Sequence, residues 1–231
     1  QLLFGELFEV LETRNSWHHI RVLHDSYQGW IHASQAEIIG FEEFTALKSA
    51  LPLYTLDLIS FVGDLSGKSS FPVSAGSTIY LNGSHPIRIA GRDFSFPENV
   101  VEPGPDRFQD IPDLALLFLN TPYLWGGRSV FGIDCSGFVQ LVYMMAGIRI
   151  PRDAAVQSTQ GDTIHLINEA RPGDLLFFDN PEGEIVHTGI CLHEGFVIHA
   201  YGKVRIDLID HNGIYNRDLK KYTHTLRLIK R

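Results

Sequence analysis

The chain has 231 residues, 44% hydrophobic and 20% charged, the composition of an ordinary folded protein with room for two or three small domains. A balance of 19 basic against 27 acidic side chains gives a net charge of −8 with no basic stripe, which argues against nucleic acid or an anionic membrane as partner. No run of 18 apolar residues occurs, so no transmembrane segment is expected, and two cysteines cannot build a disulfide framework.

Residues 1–46 read as short alternating strands broken by polar turns. "FEVLE" and "WHHIRVL" are strand-like, and "DSYQGW" is a turn opening into another strand. In residues 47–103 the turn signals "GDLSGKSS", "SAGS", "NGSH" and "AGRD" recur at the rhythm of a small all-β barrel or sandwich. "EPGPD" at 102–106 is a linker.

Residues 104–231 follow a different grammar. "DIPDLALLFLNTPYLW" predicts a helix and then a loop. In "CSGFVQLVYMMAG", Phe138, Leu141, Val142 and Met145 fall at i, i+3, i+4 and i+7 of a helix that Gly147 stops. "DLLFF", "EIVHTGICL", "GFVIHAYG" and "HTLRLIK" are four strand candidates. Helices first and strands later predict an α+β domain with an antiparallel sheet.

Cys135 opens the long helix, where free N–H groups and the dipole favour a thiolate, so a lowered thiol pKa is expected. A buried structural cysteine is the alternative from position alone. The base must come from elsewhere. If "HEG" at 193–195 is a three-residue hairpin loop, Gly189 faces His199, and His187 and His199 share one face as diagonal neighbours. A two-residue loop would put them on opposite faces. On one face, the two rings and the thiol form a nucleophile, base and orienter set. Cys191 reads as structural. His224 and the remaining histidines have no partner the sequence names. The histidines show no HxxxH or CxxC spacing, so neither a metal nor a cofactor is expected.

"PYLWGGRSVFGIDCSGFVQLVY", "IPRDAAVQ", "ARPGDLLFF", "VHTGICL" and "VIHA", in this order over 122–200, resemble the NlpC-type papain-like cysteine peptidases of bacterial cell-wall metabolism. The resemblance implies a circularly permuted papain-like α+β domain, with Cys135 as nucleophile, His187 as general base and His199 orienting the base. Two small all-β SH3-like barrels before it, 1–46 and a divergent 47–103, are similar to the SH3b–SH3b–peptidase order of the γ-D-glutamyl-L-diamino-acid endopeptidases. That likeness implies a stem-peptide substrate with a free N-terminal L-Ala, its ammonium held by Asp134, Tyr27 and Glu6. Arg152 and Asp153 resemble the substrate-side loop; Arg152 would meet a substrate carboxylate or form a structural ion pair. Ser136 would lend its backbone N–H to the oxyanion. Trp125 would wall the pocket or fill the core.

The expected activity is cleavage of the bond between D-glutamate and diaminopimelate or lysine. A D,L-endopeptidase on intact peptidoglycan and a non-catalytic wall-binding protein are the alternatives. A cell-wall substrate and a first residue that is not Met suggest export after loss of an upstream segment, while peptide recycling would allow the cytoplasm.

Overall fold

A computed structural model describes the chain apart from residues 66–68, 83–84, 87–88, 96 and 194. Two compact units divide it: Leu2–Pro103, and Gly104–Arg231 together with Gln1.

The first unit begins with an antiparallel sheet of β1 (Phe8–Arg14), β2 (Trp17–Val22) and β3 (Gln28–His32). The β1–β2 hairpin turns at Asn15, whose positive φ of 51° is one that asparagine tolerates. A helix follows, α1 (Phe41–Ser49). Glu42 and Glu43 in its first turn and Lys48 in its last complement the helix dipole. Then come β4 (Leu51–Thr55), β5 (Ile59–Asp64), β6 (Ser70–Ser74), β7 (Thr78–Asn82), β8 (His85–Pro86), β9 (Phe94–Ser95) and β10 (Val100–Val101). They form one sheet in the order β10-β4-β7-β8 and another in the order β6-β5-β9.

The expected boundary at 46/47 falls inside α1, so composition placed it in the middle of an element. Phe4 from the first segment also packs on the Val62, Val73 and Phe94 core of the second, and its carbonyl accepts from Thr78 N–H at 2.8 Å. The two segments thus share a core. The turn signals at 66–68 and 83–84 lie outside the described residues.

The second unit opens with α2 (Ile111–Leu116), a ribbon of β11 (Arg128–Ser129) and β12 (Gly132–Ile133), α3 (Cys135–Met145), α4 (Ala154–Gln157) and β13 (Thr163–Ile164). The sheet then follows as β14 (Leu175–Asp179), β15 (Ile185–His193), β16 (Phe196–Tyr201), β17 (Lys203–Asp210), β18 (Gly213–Asn216) and β19 (Lys221–Lys230). All pairings are antiparallel in the order β13-β19-β14-β15-β16-β17-β18, and β19 also pairs with β18, so β14 to β19 close on themselves. The strands β13, β17 and β18 were not among the four expected.

Helix α3 is buried along all eleven of its residues, and Phe138, Leu141, Val142 and Met145 are fully enclosed. A helix apolar on every side belongs inside a domain, and truncating one of these side chains to Ala would cost ~2–5 kcal/mol. The helix ends as expected. Gly147 has φ 88°, its N–H bonds Met144 O, and Ile148 N–H reaches back to Tyr143 O at 2.8 Å, the glycine-terminated cap that satisfies the last carbonyls. Under the sheet lie Leu176, Phe178, Cys191, Val197, Ile209, Ile214 and Ile229. Cys191 is therefore core, with burial pushing its thiol up to about 11. Among the described residues no helix is long and apolar enough to cross a membrane.

Candidate active site

Helix α3 is started by Asp134. Its backbone is extended and its Oδ1 accepts Gly137 N–H at 2.7 Å, capping a donor that the first turn leaves open. The same carboxylate accepts Gly126 N–H at 2.8 Å on Oδ2, and Arg152 grips both oxygens, at 3.0 and 2.5 Å. Arg152 also donates to Ser136 Oγ at 2.9 Å. The loop can come this close only because Gly137 lacks a side chain: a Cβ there would stand 2.5 Å from Gly127 O. Asp134 is thus an N-cap and half of a buried ion pair, with its acceptor positions already filled by protein donors, which its place beside the nucleophile did not suggest. Of the two readings of Arg152, the structure displays the ion pair.

Cys135 is the first residue of α3 and 92% covered, and the backbone amides of Thr188, Ser136 and its own residue act in the direction that lowers its thiol pKa. Burial, with the Asp134 carboxylate adding to it, nonetheless pushes the thiol above its ordinary range. The expected drop at the helix start is overturned because desolvation of an enclosed sulfur outweighs the amides. Trp125 is 86% exposed, which removes the core-filling reading. Asp153 caps α4 through its backbone and is exposed, and its carboxylate has no partner among the described residues.

The histidines come from the sheet. Gly189 pairs with His199 as expected, but not through the expected loop: His193 belongs to β15 and pairs with Phe196, and a bulge between Cys191 and His193 restores the register. Glu194, in the middle of the expected loop, lies outside the described residues. His187 and His199 are both buried, and His187 Nε2 lies 2.8 Å from His199 Nδ1. The chain then continues beyond what the sequence offered. His199 Nε2 is 3.1 Å from Asp207 Oδ2 on β17, and Arg205 donates to Asp207 Oδ2 and Oδ1 at 2.6 and 2.9 Å. His224 on β19 stacks on His187 with ring centroids 4.2 Å apart, and its Nδ1 meets Thr223 Oγ1 at 2.9 Å.

Burial, then the neighbouring His199 and His224, hold His187 well below the usual imidazole range. Burial and His199 likewise bring His224 down to about 4. Burial thus disfavours the charged form of the thiol and of the imidazoles alike. His187, His199 and His224 bring ring nitrogens within 4.8 Å of one another, the one group of described residues that could hold a metal ion. The 2.8 Å between His187 and His199 is a hydrogen-bond distance. Two nitrogens on one tetrahedral zinc, each about 2.0–2.1 Å from the metal, would stand farther apart, at roughly 3.3 Å.

Asp207, Arg205 and His224 are the residues that sequence reasoning missed. A signal for the first two was present: "KVRIDLID" alternates Val204, Ile206 and Leu208 with polar residues, and "HNG" is a hairpin turn. In the other unit, Tyr27 is exposed just before β3, and its N–H donates to Asp25 at 2.9 Å. The Glu6 side chain is 2% exposed, accepts Leu3 N–H at 2.9 Å and lies 3.9 Å from His24 Nδ1. Glu6 is a buried, partnered residue of its own barrel, not a solvated turn.

A cysteine at the start of a helix that packs on the strands bearing a buried histidine pair is the set of groups a papain-like thiol hydrolase uses. The model of the NlpC/P60 family matches residues 120–223, and that of the bacterial dipeptidyl-peptidase Sh3 domain matches residues 1–35. A gamma-D-glutamyl-L-lysine dipeptidyl-peptidase of Bacillus subtilis (strain 168) is 31% identical over 215 residues, covering 87% of this chain and 71% of its own. Dipeptidyl-peptidase 6 of Lysinibacillus sphaericus is 28% identical over 95% of this chain and 87% of its own. The crystal structure of an NlpC/P60 family protein from Bacillus cereus matches 100% of this chain and 80% of its own with a TM-score of 0.84; at 21% identity this is a likeness of fold. The chain belongs to the NlpC/P60 family and is a cysteine peptidase with a bacterial dipeptidyl-peptidase SH3 domain at its front.

Proposed function

We propose that this peptidase cuts the γ-D-glutamyl–L-diamino acid bond of cell-wall stem peptides that begin with a free L-Ala. The observation that carries the reading is a covered Cys135 at the start of α3, the helix that packs on β15 and β16, and the His187–His199 pair at 2.8 Å on those two strands. The curated relatives support it, because a dipeptidyl-peptidase counts two residues from a free amine and so must recognise that amine.

In the reaction, His187 accepts the Cys135 proton as the sulfur attacks the γ-glutamyl carbonyl carbon, and the amides of Cys135 and Ser136 receive the developing oxyanion. Collapse of the tetrahedral intermediate breaks the C–N bond. His187 returns its proton to the leaving amine of the diamino acid, and a thioester remains on Cys135. Water then gives a proton to His187 and attacks the thioester; the C–S bond breaks to release the L-Ala–D-Glu acid, and His187 returns its proton to the Cys135 sulfur.

The ammonium needs a carboxylate with room for it. Asp134 is saturated by Gly126, Gly137 and Arg152, whereas Asp153 is exposed with its oxygens open. We therefore give Asp153 the direct contact and Asp134 the task of fixing the wall behind it. Exposed Trp125 would cover the peptide. Glu6, which the likeness also names, has its side chain buried and already partnered within its own unit. The domain reading belongs to this proposal too: a circularly permuted papain order, and a second SH3b-type barrel after α1. So does export to the cell envelope, where such peptides arise.

The test is mass spectrometry of L-Ala-γ-D-Glu-diaminopimelate beside the same peptide with its N-terminus acetylated. Only the free peptide should be cleaved at an appreciable rate. Equal cleavage of both would sink the amine requirement and favour a D,L-endopeptidase on intact peptidoglycan, and cleavage of neither would reject the substrate class.

A further inference from the structure

A hydrogen bond between two neutral imidazoles has no inherent direction, since either ring nitrogen can donate to the other. Yet the base at Cys135 needs one particular nitrogen of His187 to be bare. His187 Nε2 is committed to His199, so the nitrogen left for the thiol is Nδ1. Nδ1 is unprotonated only if Nε2 carries the hydrogen and donates. Something beyond His199 must break the symmetry.

We propose that Asp207 is a positioning residue that sets the tautomer of His187 through His199. The inference rests on Cys135 and His187 acting as nucleophile and base. Asp207 is buried, and a carboxylate can only accept, so the 3.1 Å contact obliges His199 Nε2 to carry the hydrogen. Neutral His199 then has a bare Nδ1. That nitrogen can only accept at 2.8 Å from His187 Nε2, so the hydrogen sits on His187 Nε2 and Nδ1 faces the thiol as a base.

Arg205 keeps the carboxylate ionised and in place. Its Nε and one terminal nitrogen grip both oxygens, while that terminal nitrogen also donates to Asp218 at 2.9 Å. Burial alone would raise the Asp207 carboxyl, but the hydrogen bonds from His199 and Arg205 outweigh it and hold the group below the usual carboxylate range. Burial and Arg205 keep His199 low despite Asp207, so the middle ring stays neutral and the relay keeps one direction. Among the described residues, the side chains seen against the two rings are Phe178 from β14, Tyr201 from β16 and His224 from β19, and α3, which carries Cys135, packs on the same strands. None of these side chains is acceptor-only, so among them and Asp207 it is Asp207 that imposes a direction.

The direct test is ¹⁵N NMR of the histidine rings in the full chain at neutral pH, with assignment by single substitutions. Hydrogens on Nε2 of both His187 and His199, with bare Nδ1 atoms, are expected; the reverse pair of tautomers would overturn the proposal. Asp207→Leu removes the acceptor and should mix the tautomers and lower kcat by about 100-fold or more with KM little changed. Asp207→Asn, whose oxygen stays where Arg205 Nε and His199 hold it, should recover much of that loss. A folded Asp207→Leu protein with wild-type tautomers and kcat would equally refute it. Cys135→Ala separates the two levels: if that variant still hydrolyses peptide, the nucleophile reading fails; if it is inactive while Asp207→Leu is not, only the relay fails.

Discussion

The site has two halves built on opposite principles. The helix half, Asp134 to Asp153, is local in sequence: a cap, a nucleophile, and an arginine 18 residues on that closes a buried ion pair with the cap. The sheet half draws His187, His199 and Asp207 from three consecutive hairpin strands and His224 from β19, which returns to close the sheet. In the first, a charge pair holds a wall still. In the second, neutral rings hold a proton in one place. The comparison teaches that an acid next to Cys135 is spent on architecture, while the acid two rings away is the one we propose to govern the chemistry.

Breaking the helix half should cost the most stability. Asp134→Ala leaves Arg152 buried without its partner and removes the N-cap, a loss of about 3–5 kcal/mol readable by chemical denaturation. Asp153→Asn should leave stability within about 0.5 kcal/mol and raise KM for the free-amine peptide about tenfold. If instead Asp153→Asn is silent and a folded Asp134→Asn protein loses peptide binding, the direct amine contact belongs to Asp134.

The sheet half should respond to acid. His224 ionises in the fold only near about 4, because burial and His199 disfavour its charge. Between its ordinary 6.5 and that value, the unfolded chain binds a proton that the folded chain refuses. Its contribution is therefore complete above pH 6.5 and falls away as pH drops toward 4. His187 adds a fall of the same sign. Scanning calorimetry should register a Tm lower by several degrees at pH 4.5 than at pH 7, and a smaller drop for His224→Gln. Equal drops in the two proteins would remove His224 from the account.

The same contrast explains what the sequence disclosed. Cys135, its helix and the Gly147 stop were readable because capping and helical period are local rules. The face shared by His187 and His199 was readable on condition of a hairpin register, which Gly189 opposite His199 satisfies. Asp207 lay on a strand whose alternation was visible but went unread, and His224 had no local sign, because its place depends on β19 closing the sheet. The thiol pKa was misjudged because helix position is visible in a sequence and enclosure is not. The first unit was harder still, because Phe4 and the second segment share one core across the compositional boundary.

The most direct measurement is a rapid quench of the enzyme with L-Ala-γ-D-Glu-diaminopimelate, followed by digestion and mass spectrometry of the peptide that carries Cys135. The account predicts a transient L-Ala–D-Glu thioester on Cys135, absent from an inactive Cys135→Ala protein. Product formed with no acyl group on Cys135, together with turnover by Cys135→Ala, would contradict it.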